Sequence, residues 1–301
     1  MQSTMMSFPL TLDRLFERAG KLFGASEVVS RLPDRCLHRY PYREFHRRTQ
    51  ALSGALQRLG LKRGDRVATL MWNHYAHLEA YFAVPCAGGV LHTLNLRLHP
   101  GDIAYIIRHA DDRILIVDDV LVPLYEKFKN DVRLDHVIVV PLCGGQQHGG
   151  YADYETLIAT APPFEAPVLD ESDAAGMCYS SGTTGRPKGV VYSHRSMVLH
   201  SLATATVDHM GVSHADTVCP VVPMFHVNAW GIPFTAVMMG AKLVFPGPHL
   251  DAESLLDLYQ SEGVTLTAGV PTVWMNILQW LEAAPERWKL APGLRMVVGG
   301  A

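Results

Sequence analysis

The residues with the strongest chemical signal form one run near the middle of the chain. Residues 179–190 are Tyr-Ser-Ser-Gly-Thr-Thr-Gly-Arg-Pro-Lys-Gly-Val. Glycines let the backbone turn freely and bring its N–H groups close to a ligand, and hydroxyl groups add further donors. Lysine adds a compact positive charge that suits phosphate. The run therefore predicts a phosphate-binding loop with the candidate ligands Ser180, Ser181, Gly182, Thr183, Thr184, Gly185 and Lys188.

This loop differs from the common nucleotide-binding motifs. Counted from Gly182, the Walker A pattern requires a glycine where this chain has Pro187. The sequence also contains no G-x-G-x-x-G, H-E-x-x-H or G-x-S-x-G motif. Dinucleotide-binding, zinc-protease and serine-hydrolase functions therefore lose their main support. The alternative, a surface turn without a ligand, is disfavoured by the length of the run and its final Lys-Gly pair.

The elements around the loop predict an α/β fold. Short apolar runs alternate with helical stretches, as in sheets that carry helices on their faces. We predict strands at 66–70, 114–117, 137–140, 176–180, 217–222, 242–245, 264–268 and 295–298. The loop would follow the strand at 176–180 and precede a helix capped by Ser193, a position where α/β folds bind ligands.

A regular helical pattern occupies the N-terminal part of the chain. Apolar positions recur there at steps of four and three, with Gly60 as the stop signal, at Phe45, Thr49, Leu52, Leu56 and Leu59. The basic residues Arg43, Arg47 and Arg48 would lie on the solvent-exposed, or wet, face of this helix.

Composition excludes several other classes of protein. The net charge of −3 gives no electrostatic surface for nucleic acid. Five dispersed cysteines without a C-x-x-C pair suggest neither disulfides nor zinc, and a reducing cytoplasm fits best. No signal peptide is evident. The apolar stretch 227–244 contains Pro233, Gly240 and Lys242, so we predict buried core and not a membrane span.

The loop resembles the phosphate-loop signature of the adenylate-forming superfamily of acyl-CoA synthetases, luciferases and peptide-synthetase adenylation domains. Three further stretches resemble the next landmarks of that family in order: Pro-Met-Phe-His-Val-Asn-Ala-Trp-Gly at 223–231, Gly-Val-Pro-Thr-Val at 269–273 and Val-Val-Gly-Gly-Ala at 297–301. The similarity covers most of the chain. The Phe-His-Val-Asn-Ala-Trp form is most similar to bacterial medium- and long-chain fatty-acyl-CoA synthetases.

The resemblance implies a reaction in two steps. A fatty-acid carboxylate would attack the α-phosphate of Mg-ATP, which gives acyl-adenylate and pyrophosphate, and the thiol of coenzyme A would then displace AMP. By the same resemblance, Ser180 would help to coordinate Mg²⁺. Residues 181–185 and Lys188 would hold the β- and γ-phosphates, and Lys188 would also act in catalysis. The implied partners are therefore fatty acid, ATP and CoA.

Four further positions match functional positions of the family. His226 matches the active-site histidine beside the carboxylate and the α-phosphate, where a donor could orient the nucleophile. Val227 and Gly300 match positions that contact the nucleotide through the main chain. Trp230 matches a tryptophan that gates the acyl tunnel. From the residue alone, an ordinary core tryptophan is an equal alternative.

The resemblance also implies a division of the chain. The fold would be α/β, with two sheet-and-helix subdomains of an incomplete N-terminal domain. Residues 66–204 would form one subdomain, and residues 8–60 with 216–301 the other. The chain ends directly after a predicted strand, so we expect the remaining motifs and a C-terminal domain to lie downstream. Residues 1–301 alone are therefore expected to make no acyl-CoA.

Several alternatives stay open from the sequence. The substrate could instead be an aryl or branched acid, or the chain could be a catalytically silent nucleotide-binding fragment. The acyl chain length and the oligomeric state are not determined. The family resemblance suggests a homodimer, and a peripheral contact with a membrane is also left open.

Overall fold

The computed structural model describes residues 1, 3–143, 149–180 and 186–300 of the chain. Within these residues it contains ten α-helices. They are α1 (Leu12–Leu22), α2 (Tyr42–Arg58), α3 (Tyr75–Cys86), α4 (Pro100–Ala110), α5 (Val122–Tyr125), α6 (Tyr154–Ala159), α7 (His194–Ala205), α8 (Ile232–Met239), α9 (Ala252–Glu262) and α10 (Pro271–Ala283).

The described residues also form thirteen strands. They are β1 (Glu27–Arg31), β2 (Leu37–Pro41), β3 (Arg66–Leu70), β4 (Val90–Thr93), β5 (Asp112–Asp118), β6 (His136–Val140), β7 (Ala152–Asp153), β8 (Ala174–Tyr179), β9 (Gly189–Ser193), β10 (Thr217–Pro220), β11 (Lys242–Phe245), β12 (Leu266–Gly269) and β13 (Arg295–Val298). Each predicted strand overlaps one of them.

The strands form two sheets. One has seven strands in the order β7-β6-β5-β3-β4-β8-β9, and the other has six in the order β13-β12-β10-β11-β1-β2. Both are parallel except at one edge, where β9 and β2 run antiparallel to their neighbours. The predicted α/β fold with two sheets is confirmed. The division into subdomains stays a prediction, although the seven-stranded sheet draws its strands from 66–193 alone.

The two sheets and the helices between and outside them form five layers, and each sheet contributes side chains to a core on both of its faces. Successive side chains of a strand point to opposite faces. In β3, Val67 therefore enters one core while Ala68 enters another, and in β1 Val28 and Val29 divide in the same way. The largest core lies between the two sheets around α1, α2, α3, α7 and α8. Helices α4 and α5 cover the outer face of one sheet, and α9 and α10 that of the other.

The helix predicted in the N-terminal part of the chain is present, and its apolar face is buried as predicted. Helix α2 buries Phe45, Thr49, Leu52 and Leu56, and the chain leaves it through Gly60 at φ 89°. Residues 227–244 are mostly buried, as predicted. In the part of the chain that the structure describes, no helix has the length and apolar character needed to cross a bilayer.

The assignment of Arg48 to the wet face of α2 is wrong. Its guanidinium is mostly buried, with Nε 2.7 Å from Oε1 of Glu79 and Nη2 2.7 Å from Oε1 of Glu155. Glu79 is fully buried on α3 and also accepts hydrogen bonds from the hydroxyls of Tyr40 and Tyr154. Burial raises the pKa of Glu79, and the guanidinium and the two hydroxyls oppose this rise. Arg48 therefore joins α2 to α3 and α6.

Arg48→Met should lower the free energy of unfolding by about 3–5 kcal/mol, since it leaves the Glu79 carboxylate buried without its cation. The matched control is Arg47→Met, because Arg47 pairs with Glu44 on the exposed surface of the same helix. That change should cost about 0–1 kcal/mol. Urea titrations of both variants measure the difference, and equal losses would contradict the account of Arg48.

Candidate active site

Three segments of the chain meet at the carboxyl ends of strands from both sheets. The first is the hairpin between β8 and β9, where the N–H of Ser180 donates to the carbonyl of Lys188 at 3.0 Å. The second follows β10 and contains His226 and the turn Val227–Gly231. The third is the end of β13, at Gly299 and Gly300. Open α/β sheets bind ligands at this edge.

The loop lies in a different setting from the predicted one. Strand β9 stands between the loop and helix α7, so the loop closes an antiparallel hairpin and does not lead directly into a helix. The predicted cap is present, because Oγ of Ser193 accepts from the N–H of Ser196 at the start of α7. Ser180 and Lys188 are exposed at the end of the hairpin. Residues 181–185 lie outside the described residues.

The turn Val227–Gly231 has an unusual backbone. Its five residues have φ values of 46°, 48°, 48°, 54° and 68°, all in the left-handed region. For residues other than glycine, this conformation costs about 1–2 kcal/mol each. Neighbouring groups therefore have to hold the turn. Asn228 is buried, and its Oδ1 accepts from the hydroxyl of Thr93 on β4 at 3.4 Å.

The hairpin and the turn are in direct contact. A Cβ added to Gly176, on the strand that leads to Ser180, would come within 3.5 Å of Nδ2 of Asn228 in the turn. The thiol of Cys178, whose pKa burial raises, contacts the hydroxyl of Tyr192 at 3.8 Å, and Tyr192 lines one cavity together with Val227. Strands β8 and β9 thus both lie against the turn that contains the predicted residue Val227.

The segment before His226 is fixed by a residue of the other sheet. Asn73, which follows β3, is buried, and its Nδ2 donates to the carbonyls of Pro220 and Val222 at 3.0 and 2.9 Å. Its Oδ1 accepts from the N–H of Met224 at 2.7 Å. His226 follows this hydrogen-bonded segment by two residues, and its imidazole is exposed. It makes no side-chain hydrogen bond to any residue that the structure describes.

Trp230 lies between the end of β13 and a cavity. A Cβ added to Gly299 would come within 2.9 Å of the indole, so the ring packs directly on that backbone. The cavity has a volume of about 310 Å³. It is lined by Tyr192, Ser196, Met197, His200, Val227, Asn228, Trp230, Gly231 and Phe234. Of the predicted residues, Val227 and Trp230 belong to this wall, and Gly300 follows the glycine beneath the indole.

The sequence analysis did not predict that α7 lines the cavity. The spacing of Ser196 and His200, four residues apart on one helical face, was the only feature of the sequence that pointed to it. Helix α7 also lies close to the turn, because a Cβ on Gly231 would come within 2.7 Å of Nδ1 of His200. The role of Asn73 could not be predicted from the sequence, because its three hydrogen-bond partners are about 150 residues away along the chain.

Gly231→Ala should destabilise the protein by at least about 1 kcal/mol more than Gly263→Ala, since it adds an overlap with His200 to the backbone strain. Gly263 is the matched control, because its φ of 66° is nearly that of Gly231 while a Cβ there would meet open space. The control should lose about 1 kcal/mol from its left-handed φ alone. Thermal melts compare the two, and equal losses would show that α7 does not support the turn.

Comparison with known proteins gives a consistent set of relatives. The family model described as AMP-binding enzyme matches residues 17–301. A long-chain-fatty-acid–CoA ligase of Thermus thermophilus is 50% identical, over 99% of this chain and 54% of that protein. A 3-methylmercaptopropionyl-CoA ligase of Ruegeria lacuscaerulensis is 44% identical, over 100% of this chain and 56% of that protein. The chain thus spans about half the length of the curated relatives it matches.

A solved structure agrees with the fold. The crystal structure of a long-chain-fatty-acid-CoA ligase from Archaeoglobus fulgidus matches with a TM-score of 0.82 at 21% identity, over 96% of this chain and 60% of that one. At this identity, the match supports the fold alone.

Proposed function

The chain belongs to the family of AMP-binding enzymes, and on this premise we propose that the complete protein is a fatty-acid–CoA ligase. A carboxylate oxygen of the fatty acid attacks the α-phosphorus of ATP, and the bond to pyrophosphate breaks. The thiol sulfur of CoA then attacks the acyl carbon and AMP leaves. The observation that carries the proposal is that a hydroxyl- and lysine-bearing hairpin and a largely apolar cavity meet at one turn.

The hairpin supplies positive charge and donors for the leaving group. Negative charge grows on pyrophosphate as the bond breaks, and fixed donors stabilise it most where they already point at the developing charge. Lys188 and Ser180 are exposed, and a backbone hydrogen bond of the hairpin holds them side by side. Ser181, Gly182, Thr183, Thr184 and Gly185 complete the proposed phosphate loop, and their contacts stay a prediction.

His226 is assigned to the reacting carboxylate and α-phosphate. Its exposed imidazole directly precedes the turn that contacts the hairpin, so it can approach both a carboxylate emerging from the cavity and a phosphate at the hairpin. A donor there would orient the attacking oxygen and offset charge on phosphorus. Val227 and Gly300 would contact the nucleotide through their backbones.

The described residues do not fit a resident magnesium site. Magnesium prefers carboxylate and phosphate oxygens in octahedral geometry. No group of three or more His, Cys, Asp and Glu side chains that could hold a metal is found among the described residues. Ser180 offers only a hydroxyl. We therefore treat Mg²⁺ as part of the ATP substrate, with Ser180 as an additional contact.

The cavity indicates which kind of acid the protein would bind. The cavity suits a hydrocarbon tail, because aliphatic and aromatic groups such as Met197, Trp230 and Phe234 line much of it. The similarity to a 3-methylmercaptopropionyl-CoA ligase favours a short thioether acid as the second candidate. An aryl or branched acid and a silent nucleotide-binding fragment are the remaining alternatives. The homodimer, the membrane contact and the cytoplasmic location stay predictions.

Lys188→Ala should lower kcat/KM for fatty-acid-dependent exchange of pyrophosphate into ATP by about 10- to 150-fold, the range for hydrogen bonds to charged groups. Thr184→Val should weaken the exchange as well. The control is Lys129→Ala, which removes an exposed lysine that pairs with Glu126 away from the site. Undiminished exchange in Lys188→Ala would refute the assignment of the loop.

Trp230→Ala should change the preference for acyl chain length, because a short acid does not reach the indole while a long tail must pass it. Each buried methylene contributes about 0.8 kcal/mol, or roughly a factor of four in kcat/KM. The experiment measures kcat/KM over fatty acids of increasing length in the parent, in Trp230→Ala and in the control Trp280→Ala on α10. A loss of the same size at every length would mean that Trp230 is only part of the core.

A further inference from the structure

Both ends of the hairpin loop contact one face of helix α4. On the entering side, the hydroxyl of Tyr179 lies 2.7 Å from Nδ1 of His109, a hydrogen bond in either tautomer of the ring. On the leaving side, the guanidinium of Arg186 lies over the ring of Tyr105, 5.2 Å from its centroid. Tyr105 and His109 are four residues apart, so they share one helical face.

The Tyr179 side chain is held from behind as well. Its ring packs on that of His92 on β4, with centroids 5.2 Å apart. His92 is fully buried, and its Nδ1 lies 2.8 Å from both carboxylate oxygens of Asp112. Burial, with Asp112 adding to it, raises the pKa of Tyr179 to about 12, so the hydroxyl keeps its proton at neutral pH. The Tyr179 ring also explains why residue 189 is a glycine, because a Cβ there would come within 3.1 Å of the ring.

These contacts matter because the sheet itself supports the hairpin weakly. Strand β9 is the last in its sheet and pairs only with β8 among the described strands. Its residues Val190 and Val191 are exposed. The hydrogen bond between Ser180 and Lys188 lies next to Tyr179 and Gly189, the last pair of the ladder among the described residues. Side chains of α4 provide the lateral support that a further strand would give.

We propose that Tyr105 and His109 are positioning residues that hold Tyr179 and Arg186, and through them Ser180 and Lys188, in the arrangement that receives the phosphates of ATP. The inference rests on the proposed function for its nucleotide, and on the contacts above for the anchoring.

The test uses the complete protein and the variants Tyr179→Phe and His109→Phe. Both remove the hydrogen bond between these two side chains and keep an aromatic ring at each position. The control is Arg108→Ala, which removes an exposed hydrogen bond of the same helix to the carbonyl of Asp131. The first readout is the rate of tryptic cleavage after Lys188, since Pro187 protects the bond after Arg186. The second readout is a pair of KM values, for ATP and for the fatty acid, in pyrophosphate exchange.

Each of the two variants should raise the cleavage rate and the KM for ATP by about five- to tenfold, the effect of one lost hydrogen bond. The KM for the fatty acid and the melting temperature should stay at parent values. The double variant should do no more than the larger single one, because both changes break the same bond. The control should match the parent in every readout.

Two results would overturn the proposal. One is cleavage at the parent rate in both variants, which would mean that the contact with α4 does not hold the hairpin. The other is faster cleavage with an unchanged KM for ATP, or with equal shifts in both KM values, which would make the anchoring irrelevant to the nucleotide. A parent without exchange activity would refute the proposed function instead, and the cleavage rates would still decide whether α4 holds the hairpin.

Discussion

The left-handed turn from Val227 to Gly231 is the constraint on which the site depends. Four residues with side chains adopt positive φ in succession, and each would cost about 1–2 kcal/mol without support. Such strain persists only where the surroundings determine the backbone completely. Here the surroundings are both sheets and a helix between them. The turn therefore exists only in the folded domain, and it forms the junction of the hairpin, the cavity and the end of β13.

The supports of the turn come from distant parts of the chain. The hydroxyl of Thr93 in the seven-stranded sheet donates to Asn228, and Gly299, which follows β13 of the six-stranded sheet, accommodates the Trp230 indole. Asn73 fixes the segment that enters the turn. Because the central core lies between the two sheets, a change in their spacing would act directly on this junction. Arg48, which joins α2 to α3 and α6 inside that core, stabilises the same arrangement from a distance.

Local patterns allowed much of the fold to be predicted. Buried strands such as β5 and β6 are continuous apolar runs, and α2 has a regular helical period, so both are visible without tertiary information. Strand β9 was missed because its valines are exposed and it is followed at once by a helix cap. Arg48 was misplaced because its carboxylate partners lie 31 and 107 residues away. Long-range pairing decides such cases, and spacing along the chain does not reveal it.

In the candidate site too, some features could be recognised in the sequence and others depend on tertiary packing. The candidate loop and His226 could be singled out from the sequence, because their residue types form compact motifs, and their roles stay predictions. The left-handed turn could not, because asparagine alone among its non-glycine residues is enriched at positive φ, while valine, alanine and tryptophan give no local signal for it. The wall from α7 depends on which helical face meets the turn. These features arise from tertiary packing, and they determine what the predicted residues can contact.

The central claim is that the hairpin and the cavity form one continuous site around the turn. Calorimetric titration of the complete protein with acyl-sulfamoyl adenosines, non-reactive analogues of the acyl-adenylate, tests it most directly. These compounds should bind more tightly than AMP or the free acid, with Kd falling by about fourfold per added methylene until the cavity is filled. Analogues that bind no better than AMP at every chain length would contradict it.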